Sequence, residues 1–186
     1  MYGNNEKTPF AETDSVDEPI SPYAATKRAG ELICHTYWHL HKLPIFCLRF
    51  FTVFGPRQRP DLAISKFIRL VDKGEPIPMF GDGTTSRDYT FVGDIVMGIT
   101  SAIDRCDRFR IYNIGGSSPV SLKDLIDTIG QVVGKTPQIK QLPMQPGDVN
   151  RTWADLTRSE AELGYRPGTS LREGIAKQWE WLRKLP

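Results

Sequence analysis

The run Ile45-Phe46-Cys47-Leu48-Arg49-Phe50-Phe51, bounded by Leu43-Pro44 before it and Gly55-Pro56 after it, restricts the possible folds more than any other stretch. Its apolar residues are nearly continuous rather than alternating, and they include aromatic and β-branched types. That pattern suits a buried strand of a parallel sheet, which helices cover on both faces. A long helical pattern precedes it, and helix-then-strand fits a βαβ arrangement. Thr52 to Pro60 would then leave the carboxyl end of the strand as a loop, where open α/β sheets place their ligands.

The helix itself starts at Ser21-Pro22-Tyr23-Ala24-Ala25-Thr26-Lys27. Ser21 suits the N-cap, and Pro22 suits the first helical position, where a missing N–H costs nothing. The small and apolar residues Ala24, Ala25, Ala29, Leu32 and Ile33 continue the helix to about His41. Tyr23 and Lys27 stand four apart, so they share one face, one turn from each other. A phenol ionises near ~10 in water and is a poor base at neutral pH. A nearby ammonium and the positive end of a helix both favour the phenolate, which is the form acid–base catalysis uses. Taken alone, the spacing equally describes a solvated helix face.

Further along, Asp61 to Lys73 has helical spacing, with Asp61 as expected cap and Gly74 as stop. Pro76 to Phe80 is extended and ends in the turn Gly81-Asp82-Gly83-Thr84. Strands are expected at 86–92, 110–114 and 138–142, and helices at 94–103, from the cap Ser121, at 157–163 and at 171–185.

Several signals point nowhere. Gly130-Gln131-Val132-Val133-Gly134-Lys135-Thr136 has three residues between its glycines where a P-loop needs four, and it ends a helix. No G-x-G-x-x-G occurs in the 186 residues. His35 and His39, with Cys34 and His41 nearby, have no acid or second thiol at zinc-binding spacing, so no metal is expected. A net charge of +2 without a basic stripe argues against nucleic acid. No apolar run nears the ~20 residues of a membrane span. The polar start does not read as a signal peptide. Three scattered cysteines read as reduced thiols of a cytoplasmic protein, and the sequon Asn150-Arg151-Thr152 reads as chance.

Motifs in a particular order carry more than any one of them. Tyr2-Gly3, Pro9-Phe10-Ala11-Glu12 and Ser21 to Lys27 come first. Leu48 to Pro56, Arg59-Pro60-Asp61, Gly81-Asp82-Gly83 and Arg87-Asp88-Tyr89 follow. Pro146-Gly147-Asp148-Val149 and Leu163-Gly164-Tyr165-Arg166-Pro167 complete the series. With these motifs the chain resembles the extended short-chain dehydrogenases/reductases, and among them the nucleotide-sugar 4-epimerases, most closely those acting on UDP-glucuronate.

The resemblance implies an incomplete Rossmann-like, doubly wound parallel sheet, its later strands and helices only, with a smaller α/β substrate-binding domain. Residues 1–56 would be a remnant of the NAD-binding domain. Residues 57–186 would bind mainly the UDP-sugar, with a strand–helix segment near 86–104 returning to the Rossmann sheet. Tyr23 would be the base, and Lys27 would bind the nicotinamide ribose of NAD. Thr52 and Arg59 would read the sugar carboxylate, Arg87 the diphosphate and Asp148 the uridine ribose. Many relatives have Arg where Gln145 stands.

The resemblance also implies a homodimer through the Tyr23 helix. Because the family's Gly-rich unit and catalytic Ser/Thr strand have no counterpart in the sequence, a carboxy-terminal portion, inactive by itself, is expected. The alternatives are a non-catalytic UDP-sugar-binding or association module, or part of a UDP-glucuronate decarboxylase or dTDP-glucose 4,6-dehydratase. Phe51-Thr52-Val53 with Arg59-Pro60-Asp61 disfavours the last two.

Overall fold

A computed structural model describes residues 1–3, 5, 7–144 and 149–185. The long helix α1 runs Pro22–His41. The Ser21 hydroxyl accepts a hydrogen bond from the Ala24 N–H at 3.1 Å, and Lys42, at φ 54°, ends the helix in the left-handed region. Lys42 to Pro44 turn the chain into β1 (Ile45–Phe50), which pairs in parallel with β5 (Phe109–Ile114), Ile45 opposite Phe109 and Phe50 opposite Ile114.

The alternation of β1 sorts its side chains between two layers. Phe46 and Leu48 join Ile95, Ala102, Tyr112, Ile114, Leu163 and Tyr165 in one core, beneath α3 (Val92–Asp104) and α5 (Thr157–Leu163). Arg49, on the other face, meets α1. The expected parallel strand is present, but it is half-buried rather than buried. Its one strand partner among the described residues is β5.

The remaining elements form a second layer system. Thr52 to Phe54, expected as loop, is a short strand β2 that pairs in parallel with β4 (Ser86–Phe91). β4 also pairs antiparallel with β6 (Pro119–Ser121). The segment expected to return to the sheet of β1 therefore divides. β4 stays with β2 and β6, whereas α3 packs on β1 and leads to β5, the strand that joins it.

Helices α2 (Ala63–Lys73), α4 (Leu122–Val133) and α6 (Leu171–Leu182) enclose a core of Phe54, Ile64, Ile68, Ile77, Leu125, Ile126, Ile129 and Ile175, all at most 1% exposed. β3 (Ile77–Phe80) and β7 (Ile139–Leu142) form a parallel pair beside it. Asp61 does not cap α2. The N-cap is Leu62, without a side-chain bond, because the Asp61 carboxylate is held by Arg59. Gly74 at φ 70° and Ser121, which accepts from the Asp124 N–H at 3.0 Å, end and begin their helices as expected.

Candidate functional site

Tyr23 lies on the first turn of α1, 71% exposed, and the Lys27 Nζ sits over its ring, 5.1 Å from the centroid. Both line a groove of about 670 Å³ together with Tyr2, Phe46, Leu48, Phe51 and Thr52. A second groove of about 340 Å³ is lined by Thr52, Gln58, Pro78, Phe80, Arg87 and Tyr89. Thr52, on β2 opposite Tyr89, thus belongs to both. Of the residues expected from sequence, Tyr23, Lys27 and Thr52 share one groove, and Thr52 and Arg87 share the next.

Arg87 is half-buried, and its Nη1 donates to the Ser86 carbonyl at 2.9 Å. Arg59 lines neither groove. It is exposed and donates to both carboxylate oxygens of Asp61, at 3.1 and 2.6 Å. Asp148, with Gln145 beside it, lies outside the described residues. Among the described residues no three His, Cys, Asp or Glu side chains cluster as metal ligands, and no helix is long and apolar enough to cross a membrane.

Buried polar groups invisible to the motif reading hold these side chains in place. Glu31, one turn past Lys27, accepts from Arg49 Nε at 2.7 Å and from Nη2 at 2.8 Å. Both side chains are about nine-tenths or more buried (6% and 5% exposed). Arg49 Nη1 donates to the Tyr2 hydroxyl at 2.9 Å, which donates in turn to Asn113 Oδ1 at 2.5 Å. Burial opposes the Arg49 charge, yet the bonds to Glu31 and Tyr2 hold its pKa above the ordinary arginine value. Burial likewise pushes the Tyr2 phenol up, against the pull of Arg49. A carboxylate on a helix of small residues, and a guanidinium in an apolar strand, were the signals that could have revealed this pair.

Two further devices fix the strand ends. Gln178 of α6, fully buried, accepts from the Gly55 N–H at 2.9 Å and donates to Gln58 Oε1 at 3.0 Å. Gln58 donates to the Val53 carbonyl at 2.9 Å. Gly55, at φ 138°, adopts a backbone conformation open to glycine, and this turns the chain after β2 toward Arg59. Asp88, next to Arg87 and fully buried, accepts from the N–H groups of Gly116, Ser117 and Ala154 at 2.8, 3.0 and 2.8 Å. Burial raises its pKa, and those N–H groups oppose the shift. A Cβ on Gly116 would stand 2.8 Å from the Tyr89 carbonyl, so the close approach needs glycine.

A helix bearing an exposed tyrosine–lysine pair, packed on a parallel strand whose carboxyl end opens into two joined grooves, defines a Rossmann-like α/β protein. Residues 1–115 match the model of the NAD dependent epimerase/dehydratase family, and the chain belongs to that family. It is 42% identical over 200 residues to a probable UDP-glucuronate 4-epimerase of Rhizobium meliloti, covering 97% of this chain and 59% of that one. Its structure superposes on a Bacillus cereus UDP-glucuronic acid 4-epimerase in complex with UDP-glucuronic acid and NAD, with a TM-score of 0.90 and 34% identity over 98% of this chain and 59% of that one. A Thermotoga maritima UDP-glucose 4-epimerase in complex with UDP-glucose gives 0.93 and 32%, over 98% and 60%. The chain thus spans about three-fifths of the length of these proteins.

Proposed function

We propose that this chain supplies the base and the sugar-nucleotide contacts of an NAD-dependent epimerase that interconverts UDP-glucuronate and UDP-galacturonate. The observation that carries this reading is the stacked Tyr23–Lys27 pair in a groove that Thr52 joins to the groove of Arg87. The first groove suits a dinucleotide's nicotinamide ribose in its chemistry. Aromatic and aliphatic walls from Phe46, Leu48 and Phe51 surround an ammonium and a hydroxyl that can reach ribose oxygens. NAD, when bound, supplies the reversible hydride acceptor that oxidation and re-reduction at the sugar C4 require.

The chain's own residues do the rest. Tyr23 takes the proton of the 4-hydroxyl and returns it, while Lys27 orients the ribose. Arg87 offers a planar fork to the diphosphate, and Asp148 accepts a hydrogen bond from the uridine ribose. Thr52 and Arg59 receive the carboxylate. Arg59 must leave Asp61 to do so, and water screens an exposed pair of this kind, so the exchange is cheap.

The residues divide in the same way: 1–56 with the dinucleotide half, and 57–186 mainly with the sugar nucleotide. A second copy of the chain is the partner best supported by the surface, because Ile33, Tyr37 and Leu40 form an exposed stripe on α1, 53–71% accessible. A cytoplasmic setting is supported by three unpaired cysteines.

The test is an NMR assay of UDP-glucuronate conversion by the chain joined to a Gly-rich dinucleotide-binding segment. UDP-galacturonate should accumulate, and equal use of UDP-glucose would overturn the substrate assignment. By itself the 186-residue chain, which has no G-x-G-x-x-G, should purify without NAD. Copurified NAD would refute that expectation.

A further inference from the structure

Cys34 lies on α1, three residues past Glu31 and seven past Lys27, and Cys47 lies on β1, two residues before Arg49. The chain reverses at Lys42 to Pro44, so moving forward along the helix is moving backward along the strand. Three helical residues rise ~4.5 Å and two strand residues ~6.6 Å, starting from a Glu31–Arg49 contact fixed at 2.7 Å. Residues one turn or one strand period from that contact stay on the same faces, which brings the thiols opposite each other. Both thiols are half-buried and line the Tyr23 groove. Cys106, the third cysteine, lines a separate hollow with Phe46, Asp107 and Arg108.

We propose that Cys34 and Cys47 are an oxidisable dithiol, whose disulfide staples the helix of Tyr23 and Lys27 to β1. Its oxidant class is a small-molecule disulfide such as oxidised glutathione.

The order of the two steps follows from the surroundings. Burial, together with the charge and hydrogen bond of the Cys34 thiol, pushes the Cys47 thiol up to about 12. At neutral pH Cys47 is therefore a poor first nucleophile. Cys34 as thiolate attacks one sulfur of oxidised glutathione. The glutathione S–S bond breaks, and one glutathione leaves as a thiol with the proton that Cys34 gave up. Cys47 then attacks the Cys34 sulfur of the mixed disulfide and releases the second glutathione, which carries away the Cys47 proton. The protein loses two electrons and two protons, and oxidised glutathione gains both. Intracellular disulfides of this kind are as a rule transient and redox-sensing.

The experiment treats the reduced 186-residue chain, folded, with oxidised glutathione, quenches with alkylating reagent and maps peptides by mass. The expected product joins the Cys34 and Cys47 peptides, two hydrogens lighter than the reduced pair, and dithiothreitol reverses it. Cys47→Ser should stop at a glutathione adduct on Cys34, and Cys34→Ser should leave Cys47 unmodified. Amide exchange over 22–42 should slow about tenfold in the oxidised form. Glutathione retained on Cys34 beside a free Cys47 in the unsubstituted chain would overturn the proposal, as would a disulfide to Cys106. Equal exchange in the two forms would overturn the staple.

Discussion

Replacing Arg49 by methionine removes a cation and leaves the Glu31 carboxylate, 6% exposed, with Arg28 at 3.1 Å as its remaining ion-pair partner among the described residues. Replacing Glu31 by leucine does the reverse and strands the Arg49 guanidinium, 5% exposed, against the Tyr2 hydroxyl. Breaking a buried ion pair on one side costs about 3–5 kcal/mol, because the surviving charge stays desolvated. Arg49→Met should fall at the lower end, about 3 kcal/mol, since Arg28 still screens Glu31. Glu31→Leu should cost about 4 kcal/mol, since among the described residues no other carboxylate is bonded to Arg49.

Removing both charges leaves no stranded ion. The double variant should therefore lose less than either single one, and the two effects should be far from additive. Urea unfolding followed by fluorescence of the four tryptophans reads this directly. With a slope of about 2 kcal/mol per molar, the single variants should shift the midpoint by roughly 1.5–2 M. Single losses below about 1 kcal/mol, or a double loss equal to the sum of the singles, would refute the reasoning that a desolvated pair ties α1 to β1.

Further outcomes can be checked separately. Tyr23→Phe, in the chain joined to a dinucleotide-binding segment, should cut turnover by several orders of magnitude and leave UDP-sugar affinity nearly intact, because it removes the ionisable oxygen and keeps the ring. Retention of a tenth of the rate, on the order of 1.4 kcal/mol, would identify another base. Arg59→Met should weaken UDP-glucuronate by roughly tenfold or more and leave UDP-glucose unaffected, measured by calorimetry. Since a 4-keto uronate is a β-keto acid, loosening its carboxylate should also let decarboxylated product appear.

Stability should also depend on acid through Glu162. Arg110, then Tyr112 and Arg108, hydrogen-bond this carboxylate and lower its pKa to about 2. A depressed folded pKa means that the unfolded chain binds more protons between about 2 and the ordinary glutamate value near ~4.3, so the contribution is present above that value and fades as pH falls through the window. Glu162→Gln should flatten that limb of a urea-midpoint profile, and an unchanged limb would count against the assignment.

Local chemistry was enough to place the helices and the longer strands, though not the three-residue strands β2 and β6 or the cap of α2. Ser21-Pro22 determined where α1 starts, Gly74 where α2 stops and Ser121 where α4 begins, because caps and left-handed stops act within a few residues of themselves. The 3.6-residue spacing of Leu125, Ile126 and Ile129 marked the buried face of α4 for the same reason. Tyr23 and Lys27 were legible as a pair because four residues on a helix are neighbours in space whatever surrounds them.

Partnerships across the chain were decided by the tertiary structure alone. Glu31 meets Arg49, Gln178 meets Gly55 and Gln58, and Asp88 meets Gly116 and Ala154 because packing removes these groups from water, and buried polar groups take the protein partners that packing brings to them. Whether 86–91 joined β1 or β2 was likewise settled by which apolar surfaces closed on one another, and that lies beyond the reach of any local pattern. Arg59 shows the same division within one side chain. Its fork geometry is written in the residue type, but its present hold on Asp61 is a choice among exposed partners that only the folded loop makes.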